Sequence, residues 1–570
     1  MKRSSLLRIR IITGVVLALA LLLVFRLYII QVVQGKLYAT KAAEQYVRSV
    51  KGLFDRGAIY FTTKDGQEVS AASLKVGYTL AISPDHITDV ERTYEKIQAI
   101  IPLEKEAFLA HARKKGDPYE EIATHVSEDD AARIRGQKLS GVQLYRDQWR
   151  YYPGDNLAAH AIGFVAYDGD KLVGRYGLEH YYESVLARNS SDLFVNFFAE
   201  IFGNFQTVVF DSHKEKEGRI VTSLEPTVVR ALATELKTVQ DQWSSAVTGG
   251  IILNPKTGEV YAISAFPDFN LNDFGNVPDQ RYYQNPLVEG VYEMGSIIKP
   301  LTVASGLDTG AINRYSTYVD EGHIEVDGYK ISNYDGRARG LIPIQQILSQ
   351  SLNVGVAHIV KVMGHEAFRK YFKALKLGDR TGIDLPNEGQ GLTKNLDSPR
   401  DVEYATASFG QGIALTPIET ARALSTLGNG GFLITPHVAS KIVYDNGKEE
   451  KITYSQGDRV FKESTSEEIT RMLVEVVDKS LAGGHVKLDR YTIAAKTGTA
   501  QIARPDGKGY YDDRYLHSFF GYFPAYNPRF LIFLYTVDPK NVKYASQTLT
   551  TPFMNLAKFL LNYYDVPPDR

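Results

Sequence analysis

A serine hydroxyl attacks a carbonyl at neutral pH only with a base beside it, and a lysine can be that base only if its pKa is lowered. The chain holds a single S-x-x-K, Ser296-Ile297-Ile298-Lys299. If a helix begins at Ser296, the two side chains lie three apart on one face, close enough to hydrogen-bond. Gly295 permits a tight entry, and a helix N-terminus favours the negative charge that develops at an attacking hydroxyl. Pro300 is tolerable so near the start because first-turn N–H groups have no intrahelical partner. Alone the pattern carries little weight, since average usage yields about one or two per 500 residues.

Two further short patterns follow. Ser351-Leu352-Asn353 stands 55 residues after Ser296. It adds a hydroxyl that can relay a proton and an amide that can grip a substrate peptide, although by itself it reads as a helix cap or turn. Lys496-Thr497-Gly498-Thr499 comes 145 residues after Ser351, at the end of the apolar run TIAA. On a strand, Lys496 and Gly498 point to one face, and Thr497 and Thr499 to the other. Glycine leaves room for a ligand backbone to approach. A cation beside the serine would depress Lys299 and hold a substrate carboxylate. A second K-T-G, Lys256-Thr257-Gly258, follows Asn254-Pro255 and precedes EVYAIS, which marks it as a hairpin turn.

These residues need a frame. From Ile220 onward, VTGGIILN, a PKTG turn and EVYAISA read as two strands, helical runs follow, and YTIAAKTGTAQI, SFFGYF and RFLIFLYTVD close the chain as strands. The expected fold is an α/β or α+β sandwich of about 350 residues whose first and last strands share one sheet. Residues 36–215 are mixed and punctuated by turns. Val90, Tyr94, Ile97 and Ile101 fall at helical spacing before Pro102, and Ser127 with Asp130 starts a second helix. His111, His125 and His160 lack metal-ligand spacing. Residues 203–219 are polar and read as the connection to the next region.

At 570 residues the chain exceeds one ordinary core. Its 65 basic and 66 acidic residues give a net charge of −1, so no basic excess points to a nucleic-acid partner. The absence of cysteine excludes disulfides, thiol nucleophiles and cysteine-held metals. Residues 1–10 carry Lys2, Arg3, Arg8 and Arg10 without an acid, and 11–33 are apolar apart from Arg26 and Gln31. As a helix, 11–33 would span about 34 Å, enough to cross a bilayer. The positive flank places 1–10 in the cytoplasm and everything after Gln34 outside. The segment is too long for a cleaved leader and closes on no A-x-A site, so it is read as an uncleaved signal anchor.

S-x-x-K, S-x-N and K-T-G in this order are the motif set of penicillin-binding proteins and serine β-lactamases. YEMGSIIKP, FGQGIALTPIETARALSTLGNGG, AAKTGTAQI and HSFFGYFPAYNPR resemble successive segments of a penicillin-binding transpeptidase domain. FRLYIIQVVQGKLYATKAAEQ, RGAIY, RYYPGDNLAAHAIGFV and GRYGLEHYYE are similar to the anchor and pedestal of a class B enzyme. Departures are small: Met294 stands where the family usually has proline, Ala495 where glycine is common, and Phe61-Thr62-Thr63-Lys64 replaces an acidic-basic-Asn lead to Asp65-Gly66.

The resemblance implies a serine penicillin-recognising fold, an antiparallel sheet flanked by helices over 220–570, with a pedestal or dimerisation-like domain over 36–215. It implies a D,D-transpeptidase that needs no metal or organic cofactor and is a target of β-lactams. Ser296 would attack the penultimate D-Ala of a stem peptide and Lys299 would take its proton. Backbone N–H groups of Ser296 and Thr499 would form the oxyanion hole. Ser351 and Lys496 would pass the proton to the leaving D-Ala, and Asn353 would hold the substrate amide. Lys496, Thr497 and Thr499 would grip the terminal carboxylate, with Gly498 giving it access. The implied location is the bacterial cell membrane, single-pass, with a polytopic glycosyltransferase and other cell-wall synthesis proteins as partners. Glu293, Pro300 and the tail YYDVPPD resemble the septal division type more closely than the elongation type. A hydrolase of the same fold and a non-catalytic β-lactam-binding scaffold or sensor are the rival readings.

Overall fold

Continuous apolar runs, rather than alternating ones, mark strands buried on both faces. Phe530–Val537 is such a run; with two further strands near the C-terminus, Ala494–Ala503 and Tyr510–Phe523, it forms an antiparallel meander, and it then pairs antiparallel with Val247–Leu253, which pairs with Val260–Phe266. The first and last strands of the region therefore lie side by side, as the sequence led us to expect. The covering layers can be read from two residues of the Tyr510–Phe523 strand. Phe519 stacks on Phe553 of the Thr550–Tyr563 helix, whereas the Tyr522 hydroxyl meets Thr470 of the Glu463–Glu475 helix at 2.8 Å. Odd and even positions of one strand face opposite ways, so helices cover both sides. Gly521 lies on the Phe553 side, where an added Cβ would come within 2.5 Å of that ring.

This computed structural model describes residues 54–169, 171–188, 216–507 and 509–570, and nine positions between 14 and 28. Of the expected anchor 11–33, only Gly14, Leu17, Leu19, Leu21, Leu22, Leu23, Phe25, Arg26 and Tyr28 are among them, as helix. The rest of that segment, and the tail 1–10, lie outside the described residues. Among the described residues no helix is long and apolar enough to cross a membrane.

The chain divides into two compact units. Within its described residues, the smaller is centred on Leu74–Trp149. Its core gathers Leu80, Ile82, Ile97, Phe108, Leu109, Ala131 and Ile134. The helix Val90–Gln98 starts at Asp89, whose side chain accepts from Arg92 N–H. The helix Glu128–Gly136 starts at Ser127, whose hydroxyl accepts from Asp130 N–H, as the capping pattern predicts.

The larger unit holds Arg56–Ser73, Arg150–Arg188 and Val208–Arg570. Ile59–Thr62 runs parallel to Gly218–Thr222, which pairs in turn with Ala439–Tyr444. Arg56 and Arg150 are both buried and share the fully buried Glu179, each with its Nε at 2.6 Å from a carboxylate oxygen. Removing one partner of such a cluster costs about 3–5 kcal/mol, because a charge is left behind without water. At the centre lies the helix Lys299–Thr309, buried along Lys299–Gly306 and packed against Asn353–Met363, His365–Ala374 and Glu463–Glu475.

Candidate active site

The serine motif does not open directly as an α-helix. Gly295–Ile298 is a 3₁₀ turn, and the α-helix begins at Lys299. Two residues account for this. Gly295 adopts φ +66°, and Pro300, in the first helical turn, has no N–H to give. In a 3₁₀ turn residues three apart eclipse, so Ser296 and Lys299 share one side. Ser296 is the one partly exposed residue between Met294 and Gly306. The remaining residues of that stretch are buried, which presents a single hydroxyl at the surface of the core.

Lys299 is fully buried, and its Nζ donates to the Ser351 carbonyl at 2.6 Å and to Ser351 Oγ at 3.2 Å. Lys496, from the Ala494–Ala503 strand, donates to the same Oγ at 3.1 Å and to the Thr497 carbonyl at 2.8 Å. One hydroxyl thus sits between two buried amines drawn from elements 145 and 52 residues away from it. Burial holds Lys299 well below the usual lysine range, and the neighbouring Lys496 charge lowers it further. Burial brings Lys496 down to about 7. At both positions burial thus favours the neutral amine, as a proton acceptor and relay require.

The Ala494–Ala503 strand shows the alternation expected of it. Lys496, Gly498 and Ala500 are buried, while Thr497, Thr499 and Gln501 are partly exposed. Thr499 Oγ1 accepts from Ala545 N–H at 3.1 Å, tying the strand to the segment before the C-terminal helix. Gly498 allows a close approach between backbones: an added Cβ would overlap Ser518 Oγ and lie 2.9 Å from the Met294 carbonyl. Ser518 Oγ itself donates to that carbonyl at 2.8 Å. A Cβ on Gly295 would meet Thr499 O at 2.8 Å from the other side. The serine turn and the K-T-G strand are thus in contact at backbone level. Asn353 opens the Asn353–Met363 helix, and its Nδ2 donates to the Ser332 carbonyl at 2.9 Å.

Sequence reasoning passed over a carboxyl group beside the turn. Glu293 Oε1 accepts from Gly412 N–H at 2.9 Å and from the Tyr510 hydroxyl at 3.1 Å, and Oε2 is buried without a partner among the described residues. Burial raises both the Glu293 carboxyl and the Tyr510 hydroxyl. In the sequence Glu293 stands out only by its resemblance to the division type. Its partners lie 119 and 217 residues away, and no spacing rule reaches that far. The second K-T-G is the turn between Val247–Leu253 and Val260–Phe266, with Lys256 exposed and bonded to Asn527.

Residues 248–557 match the model of the penicillin binding protein transpeptidase domain, and 55–193 that of the penicillin-binding protein dimerisation domain. Stage V sporulation protein D of Bacillus subtilis strain 168 is 29% identical over 537 residues, covering 93% of this chain and 81% of that protein. Peptidoglycan D,D-transpeptidase FtsI of Escherichia coli strain K12 is 27% identical over 470 residues, covering 82% and 76%. Among solved structures, penicillin binding protein 2X from Streptococcus thermophilus superposes with a TM-score of 0.72 at 20% identity, covering 90% of this chain and 81% of its own. Penicillin binding protein 3 of Mycobacterium tuberculosis, complexed with aztreonam, gives 0.67 at 21%, covering 91% and 98%. The transpeptidase model alone accounts for more than half of the chain, and the three motifs it spans meet around one hydroxyl; the chain belongs to the penicillin-binding transpeptidase family, in its class B branch, and is a serine-type D,D-transpeptidase.

Proposed function

We propose that this transpeptidase cross-links peptidoglycan stem peptides at the division septum, held in the cell membrane by residues 11–33 with 36–570 outside. The observation that carries the chemistry is Ser351 Oγ between the Nζ atoms of Lys299 and Lys496, at 3.2 and 3.1 Å. Ser296 Oγ bonds to the carbonyl carbon of the penultimate D-Ala while its proton passes to Lys299. Backbone N–H groups of Ser296 and Thr499 take up the oxyanion, where one well-placed donor contributes about 3–4 kcal/mol. The amide C–N bond then breaks, and Ser351, backed by Lys496, hands a proton to the departing D-Ala amine. An amine of a neighbouring stem attacks the acyl-enzyme, loses its proton by the same route and releases Ser296. Thr497 and Thr499, on the partly exposed face of their strand, with Lys496 behind them, receive the terminal carboxylate. Asn353 positions the substrate amide, and Gly498 keeps the strand thin enough for approach.

β-Lactams would acylate Ser296 in the same way, a reading supported by the likeness to a structure that holds aztreonam. Septal work is favoured by Glu293, Pro300 and the YYDVPPD tail, and by similarity to a protein named FtsI. Glycan strands would come from a polytopic glycosyltransferase in the same membrane.

The first experiment labels the full-length chain with a fluorescent penicillin, alongside Ser296→Ala and Lys256→Ala. A stable adduct lost only with Ser296→Ala supports the assignment, and no adduct on folded wild-type protein removes it. Depletion then separates the two cellular roles: filaments with unfinished septa fit division, whereas rounded cells would move the protein to elongation.

A further inference from the structure

Asp320 is fully buried, and a carboxylate in such a place needs donors. Its Oδ1 accepts from Gly322 N–H at 3.2 Å, and its two oxygens accept from Asn333 Nδ2 at 2.9 and 3.1 Å. Arg339 Nε stands 3.8 Å from Oδ2. With its NH₂ committed to a carboxylate, the Asn333 amide has one permissible orientation, because the flipped form would set oxygen against oxygen. Its Oδ1 is thereby aimed at Val354 N–H, 3.1 Å away.

That N–H belongs to the first turn of Asn353–Met363, whose cap position is Leu352, a residue with no side-chain oxygen to offer. Asn333 supplies the missing cap from 21 residues away. Ser332, its neighbour, accepts from Asn353 Nδ2 through its carbonyl. Two consecutive residues thus grip the start of the helix that directly follows the catalytic loop. Ser351 in that loop has φ +56°, a left-handed conformation costing a non-glycine residue about 1–2 kcal/mol, so the surroundings must hold it.

We propose that Asp320 and Asn333 are positioning residues for the reaction: Asp320 orients Asn333, and Asn333 caps the helix after Ser351, which keeps Ser351 Oγ between the two lysines. The inference rests on the reading of Ser351 as proton carrier. Neither residue touches the reacting atoms. Both lie outside the three motifs, in the segment between Thr317 and Pro343.

The test measures fluorescent-penicillin acylation of the full-length chain over a range of concentrations, separating reversible binding from the maximal acylation rate, with a melting curve for each variant. Asn333→Ala is expected to lower the maximal rate by about 10–100-fold, as a misplaced catalytic group does, while binding changes by less than about threefold. Asn333→Asp alone sets two carboxylates against each other and should lose as much. Asp320→Asn alone presents the Asn333 amide with another amide and should lose part of the rate. The double exchange Asp320→Asn with Asn333→Asp rebuilds the pairing with roles reversed, keeps an acceptor at Val354 N–H and should recover most of the rate.

A normal maximal rate in folded Asn333→Ala overturns the proposal. So does a double exchange that folds with the wild-type melting temperature yet acylates no faster than Asn333→Asp. If the single variants fail to fold, the double exchange decides alone: a folded double exchange that acylates about 10-fold or more below the wild-type rate overturns the proposal, and one near that rate supports it. Ser351→Ala separates the two readings: a wild-type rate there removes the proton-carrier assignment, whereas a slow Ser351→Ala beside a fast Asn333→Ala removes only the positioning role.

Discussion

The chain contains Lys-Thr-Gly twice, and the two copies have opposite surroundings. At 256–258 the lysine and threonine are exposed on a hairpin turn, and Gly258 is held at φ +87° against the Thr435 carbonyl. At 496–498 the lysine is buried beside Ser351, and the glycine lies against the turn that carries Ser296. Identical residues make an exposed turn in one place and, in the other, a buried strand whose lysine donates to Ser351 Oγ. What separates them is dehydration and a second amine, neither of which is written in three letters.

The largest effect should come from removing the two lysines in parallel. Lys496→Ala is expected to slow penicillin acylation by about 10²–10⁴-fold, the range for loss of a general acid–base group, and Lys256→Ala should leave the rate unchanged. Stopped-flow acylation of the full chain measures both.

The two glycines should fail differently. In Gly498→Ala the added methyl would push the strand from Ser518 and Met294, which shifts the Ser296 turn; a loss of about 100-fold in acylation is expected with the protein still folded. Gly258→Ala strains a left-handed turn by about 1–2 kcal/mol, drives a methyl into the Thr435 carbonyl and should lower the melting temperature, with acylation per folded molecule intact. Equal activity losses in both would erase the distinction.

Titration gives a subtler test. Lys496 has been brought down to about 7 by burial, so lowering the pH through that value adds a proton to it and, by repulsion, makes the proton on Lys299 harder to accept. Acylation should decline below about pH 7 and level off above it. The folded-state pKa lies below the unfolded one, so the unfolded chain binds more protons between about 7 and 10.5, and stability contributed by this group rises with pH across that window. Lys496→Met should therefore melt higher than wild type near pH 7, by an amount that shrinks towards pH 10. The smallest effect expected is that of Lys256→Met, within about 0.5 kcal/mol of wild type, as for an exposed side chain without a packed role.

Much of this could be read in the sequence because strong physical signals are local. The apolar runs TIAA and FLIFLYTV announce strands, Ser127 announces a cap, and the order of three motifs announces a common site. Their convergence on Ser351 was legible only as a set. Other features escaped for one shared reason. The Glu179 ion cluster, the Glu293–Tyr510 bond and the Asp320–Asn333 pair join residues far apart in the chain, and each member taken singly looks like an ordinary polar residue. One local clue was available: a helix starting at Asn353 with leucine at its cap position needs an acceptor from elsewhere. The α-helix begins at Lys299, three residues after Ser296, because Gly295 and Pro300 together favour a tighter turn.

The sheet that carries Lys496 joins Leu253 to Leu531 as neighbours. A ribosome adding about 5–20 residues per second needs roughly 15–60 s to make the chain between them. Throughout that interval the strand Val247–Leu253 lacks the neighbour that covers its edge in the folded protein. Such an edge invites pairing with another nascent chain. The sheet that carries Lys496 can therefore close only after its own C-terminal strands have been made.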